Sequence, residues 1–107
     1  MNGQNNPGQP GQQGQQINIK IDDQTLKGVN ANAMGISHSK EEFVLDFMNI
    51  YPWQKVGIVT SRVITTPGHM KRIYNALADN IKKYEDKFGK IEEAQAPQSG
   101  DIGFKTA

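Results

Sequence analysis

No cysteine occurs among the 107 residues. That excludes disulfides, thiolate chemistry and zinc sites built on cysteine. A long apolar run is missing as well: nothing approaches the ~20 residues that a membrane-spanning helix needs. The N-terminus shows neither the basic region nor the apolar region of a secretory signal, so the expectation is a cytoplasmic protein without membrane contact. Strong charge of one sign is also lacking. A formal net charge of +1 leaves no broad electrostatic footprint for nucleic acid or a lipid surface. The charge is uneven, however. Residues 17–91 hold 11 basic and 8 acidic residues, whereas 92–107 hold 1 and 3.

What the chain does contain is organised around one stretch, Thr66 to Gly89. Met70, Tyr74, Leu77, Ile81, Tyr84 and Phe88 recur at helical spacing, with Ile73 and Ala78 widening the stripe. Thr66 is the expected N-cap, Pro67 the first helical residue and Gly89 a left-handed C-cap. Asp79 is placed to pair with Lys83 one turn on. Such a helix cannot bury its stripe alone.

Upstream, residues 2–16 contain only Asn, Gly, Gln and Pro, and a disordered leader over 1–16 is expected. Ile17, Ile19 and Ile21 alternate with polar residues, the pattern of a half-buried strand, and Asp22 to Gln24 reads as a turn against which Leu26 packs back. Gly28 to Ser39 reads as a second strand: Val29, Ala31 and Ala33 lie on one face, Met34 and Ile36 on the other, with a bulge beside Gly35. Ser39 to Glu42 fits either a capping box or a hairpin connection, and the apolar run after it favours the hairpin. Glu42 to Ile50 is the third strand, with Phe43, Leu45 and Phe47 facing the core and Val44, Asp46 and Met48 opposite. Pro52 ends it. Lys55 to Thr65 is the fourth, with Val56, Ile58 and Ile64 on one face and Val59 and Val63 on the other. The expected architecture is α+β: a four-stranded antiparallel meander followed by one long C-terminal helix (ββββα) over residues 17–91, with a disordered tail over 92–107. In the tail, Ile102 and Phe104 are candidates for transient docking. One helix covers one sheet face, so Val44, Met48, Val59 and Val63 become a candidate oligomer interface.

The runs ISHSKEEFVLDF, from Ile36, and VTSRVITTPGHMKRIYNALADNIKKYEDKFGKI, from Val59, resemble a family of short prokaryotic proteins known as a domain of unknown function. The pairs His38-Ser39, Glu42-Phe43, Asp46-Phe47, Ser61-Arg62, Thr66-Pro67, Tyr84-Glu85 and Phe88-Gly89 carry the resemblance. It implies a fold unit and no site. The strand order is also similar, at the level of topology, to PUR-type single-stranded nucleic-acid binders and to the protomer of the export chaperone SecB.

Candidate chemistry is sparse. His38 between Ser37 and Ser39, with Asp46 downstream, has the residue types of a hydrolytic triad. Neighbouring serines on a strand point to opposite faces, so turn hydrogen bonds are the preferred reading. His38 and His69 lack metal-ligand spacing, and Gly28 and Gly57 fit no phosphate loop. Neither a metal nor a cofactor is expected. Arg62, mid-strand among Val and Ile, is read as pairing with Asp46 or Glu42 across the sheet, with an anion contact as the alternative. Tyr51 and Trp53 beside Lys55 and Arg62 could stack single-stranded bases, with Lys71 and Arg72 as further phosphate contacts. Three functions follow: a non-enzymatic homo-oligomeric binding module, a single-stranded nucleic-acid binder, and a peptide-binding holdase. An enzyme has the least support, because no pair of groups is placed for acid–base work.

Overall fold

The computed structural model describes residues 15–97. Within them the order is α1 (Asp23–Leu26), β1 (Ala33–His38), β2 (Phe43–Tyr51), β3 (Val56–Thr65) and α2 (Pro67–Phe88). The fold is α+β, with three antiparallel strands in the order β1-β2-β3 and a long C-terminal helix.

The fourth strand expected at Ile17–Ile21 is not formed. Those isoleucines are exposed and lie on no ladder. Alternation marks a segment that can be a strand, yet a strand also needs a ladder partner, and residues 17–21 pair with neither of the free edges that β1 and β3 present. Asp22 instead caps the single turn of α1, its Oδ1 accepting from Thr25 N–H at 2.7 Å. Leu26 does not pack back but stays exposed.

The strand expected over Gly28–Ser39 shortens to Ala33–His38. Asn32 explains where it begins: its side-chain amide donates to Ile50 C=O (3.1 Å), and its Oδ1 accepts Ile50 N–H (2.8 Å). A side chain here stands in for one more rung of backbone ladder. No bulge occurs beside Gly35, because β1 pairs with β2 in continuous register. Ser39 to Glu42 forms the hairpin connection, with Ser39 Oγ accepting from Glu41 and Glu42 N–H.

The bulge lies in β3. Phe47 opposes Ser61 and Met48 opposes Val59, which leaves Thr60 as the extra residue. This changes the faces. Residues directly opposed across a ladder share a face, so one face gathers Met34, Ile36, Phe43, Leu45, Phe47, Val56, Ile58 and Val63. The other gathers Val44, Asp46, Met48, Ile50, Val59, Arg62 and Ile64. Ile64 and Val63 therefore exchange the sides that unbroken alternation assigns them.

The helix has the expected N-cap and first residue, and a C-cap at the expected glycine but of different geometry. Thr66 Oγ1 accepts from His69 N–H at 3.2 Å, Pro67 opens the first turn, and Gly89 takes φ +101° with ψ 168°, extended rather than left-handed helical and suited to glycine alone. Asp79 pairs with Lys83 at 3.0 Å, as its spacing predicts. Coverage of the sheet does not follow, because α2 packs extensively on neither face. Thr66 alone joins the end of β3 to the start of α2, so no loop exists in which the chain could turn back. The result is a scaffold almost without a core: among the described residues, the only buried hydrophobic ones are Leu45 and Ile50, each 7% exposed.

The leader over residues 1–16 and the tail over 92–107, with Ile102 and Phe104, fall largely outside the described residues. Residues 92–97, which are described, form no helix or strand.

Candidate functional site

Asp46 and Arg62 stand opposite each other on β2 and β3. The guanidinium grips the carboxylate with two hydrogen bonds, Nε to Oδ1 at 2.7 Å and Nη2 to Oδ2 at 2.8 Å, a fork that fixes both side chains. Hydrogen bonding to Arg62 holds the Asp46 carboxyl below its ordinary value, and the same bonds raise Arg62. Of the two expected partners, Asp46 is the one used.

The β2–β3 tip is built by two reversals, Gln54 N–H to Tyr51 C=O (3.1 Å) and Lys55 N–H to Pro52 C=O (3.2 Å). They leave Lys55 at φ +56°, a conformation that a side chain bearing a Cβ rarely takes. Trp53 is 94% exposed at the apex and Tyr51 half exposed beneath it. Trp53 is thus no anchor for the core.

The six candidate contact residues do not converge. Tyr51, Trp53 and Lys55 sit at one end of β3, while Lys71 and Arg72 sit in the first turns of α2 beyond its other end. Ten residues of strand, about 33 Å, separate the two groups. Arg62 lies between them, engaged with Asp46. Of the candidate interface residues, Val44, Met48 and Val59 share a face, but the bulge at Thr60 puts Val63 on the opposite side, beside Leu45.

The histidines stand apart from acid–base partners. His38 stacks on Phe43 across the hairpin, ring centroids 5.2 Å apart, on the face opposite to Asp46 and Ser37. His69 lies in the first turn of α2. Among the described residues, no three His, Asp or Glu side chains gather as a metal site, and no helix is long and apolar enough to cross a membrane. An open groove of about 360 Å³ lies between α1 and the bulge, lined by Gln24, Thr25, Gly28, Val29, Thr60 and Ser61. It holds no charged group.

Two features escape a reading of the residues alone. One is the Asn32 clamp, since an asparagine before a strand resembles any loop residue. The other is the exposure of the α2 stripe, with Tyr74, Leu77, Ile81, Tyr84 and Phe88 each 50–65% accessible. The stripe is legible in its spacing, but what covers it is not.

No curated protein and no solved structure matches the chain, so the topological similarity to PUR-type repeats and SecB protomers finds no support; the fourth strand on which it rested is not formed either. A family match exists, covering residues 1–93 and including the segments that carry the resemblance. The chain belongs to the family described as "protein of unknown function (DUF3467)".

Proposed function

We propose that the chain is a non-enzymatic, self-associating binding module of the cytoplasm. One observation carries this reading: the helix stripe and large parts of both sheet faces are exposed, and among the described residues only Leu45 and Ile50 are buried. A soluble monomer rarely leaves so much contiguous apolar surface wet. A second copy offers the same surfaces in equal number, and a twofold pair would satisfy both at once. The alternation of Ile17, Ile19 and Ile21 fits the same reading, as a strand pattern that pairs with no strand of its own chain. The test is solution mass by light scattering, with absorbance at 260 nm followed in the same run. The expected result is a dimer or higher oligomer without nucleic acid. A monomer at tens of micromolar would overturn the proposal.

A second reading, binding of single-stranded nucleic acid, is favoured by the tip alone. Trp53 stands out beside Tyr51 and Lys55, and stacking on an exposed aromatic ring contributes about 1–3 kcal/mol per base. Trp53 is the sole tryptophan, so its fluorescence reports this site directly. Salt-sensitive quenching by an oligonucleotide would support the second reading, and an unchanged signal would reject it. For a peptide-binding holdase, supported by the apolar sheet face, the readout is salt-insensitive suppression of client aggregation.

A further inference from the structure

The geometry points to a specific form of self-association: α2 pairs with α2 of a second copy, the two helices antiparallel and joined along Tyr74, Leu77, Ile81, Tyr84 and Phe88. This inference rests on the self-association proposed above.

The width of the stripe is the first argument. A helix that packs on a sheet or in a mixed core presents a broad apolar face, about three positions in seven. A seam that receives another helix is narrower, two in seven, at alternating steps of three and four. From Met70 to Phe88 the steps are 4, 3, 4, 3 and 4. Beyond the first turns, where Met70 and Ile73 are half-buried, only Ala78 adds to those two positions. Just outside the seam lie Asn80, Glu85 and Lys87. The ion pairs Lys82–Asp86 (2.9 Å) and Lys83–Asp79 (3.0 Å) occupy the far side of the helix, which marks that side as solvated.

Charge then selects the direction. In an antiparallel pair, Leu77 packs against Ile81 of the other copy, Tyr74 against Tyr84, and Met70 against Phe88. The flanking positions that meet on one side of the seam are Lys71 with Glu85, twice by symmetry, and Ala78 with its own copy. On the other side Ile73 meets Lys87 and Asn80 its own copy, so no like charges oppose. Among the described residues Lys71 makes no ion pair within the chain. In a parallel pair the flanking contacts are Ile73 with Ala78 and Asn80 with Glu85, so no opposite charges meet within the helix. Complementary flanking charges set partner orientation.

Area is sufficient. Large side chains carry about 150–250 Å² each. With five of them at least half exposed, both stripes together bury about 1,000 Å², the size at which an interface becomes specific. A foreign amphipathic helix would fit the seam, but only a second copy matches it in length, register and both flanking charges. The sheets, at opposite ends of the pair, remain available for other contacts.

The absence of cysteine makes the test clean, because an introduced thiol has no competitor. Ala78→Cys places the thiol where an antiparallel pair meets itself. Lys90→Cys, just past the helix, places two thiols together only in a parallel pair. Both positions are exposed and lie outside the apolar seam, so the fold should tolerate either change. Under mild oxidation of dilute protein, Ala78→Cys should form the disulfide-linked dimer at least about tenfold faster than Lys90→Cys, since pairing raises the local thiol concentration. The reverse order would overturn the antiparallel arrangement. A dimeric mass with neither variant cross-linking would overturn helix pairing and leave self-association standing. A monomeric mass would remove both.

Discussion

Arg62 and Asp46 put a charge-assisted fork in the middle of a three-stranded sheet, half exposed on the arginine side. Because Arg62 stabilises the ionised carboxylate, the folded Asp46 has a lower pKa than the unfolded one. Such a group adds stability that is complete above the unfolded value, about 4, and is lost as pH falls through the folded value. Urea midpoints should therefore decline below about pH 4. In Asp46→Asn that part of the acid dependence should vanish; an unchanged acid profile would show the fork to be energetically idle. At the start of β1, Asn32 satisfies both backbone groups of the buried Ile50. Asn32→Ala leaves a donor and an acceptor without partners and should cost about 1–3 kcal/mol, read by urea unfolding. The neighbouring bond from Asn49 to Asn30 C=O (2.9 Å) reaches neither group and cannot compensate.

At the scale of elements, α2 is the one most fully written in the residues, because caps and period are both local. Thr66 holds the entry through its bond to His69 N–H, and Thr66→Ala should lower stability by about 1 kcal/mol, with the loss visible in thermal unfolding. The β2 and β3 spans were legible for the same reason, from β-branched and aromatic runs bounded by Pro52. Thr60 was not. Nothing in VGIVTSRVIT marks the residue that is left over, since a bulge is decided by how two strands fit together and not by either one. That single residue reassigns Val63 and Ile64, and with them part of the candidate interface. Gly57 shows the same kind of dependence. A Cβ there would stand 2.7 Å from Ile50 Cδ1, so the glycine reflects its neighbour across the ladder. Of the candidate site, the Arg62 pairing was legible from charge beside apolar neighbours. The separation of Trp53 from Lys71 and Arg72 required the length of β3.

For the whole molecule, the deciding feature is how little is buried. The two apolar faces of β3 are readable from residues 55–65, and they are one ground for the association proposed above. The position of α2 is not readable, because helix periodicity is silent about direction, and direction here follows from the single residue Thr66 between strand and helix. With only Leu45 and Ile50 buried among the described residues, these hold little to keep a chain folded on its own. In the paired reading, folding and encounter merge into one event, and stability becomes inseparable from protomer concentration. The supply of working protein would then follow copy number more steeply than in proportion: near the threshold, halving the number of chains removes more than half of the pairs. Nascent chains leaving neighbouring ribosomes on one messenger would find each other sooner than chains released far apart.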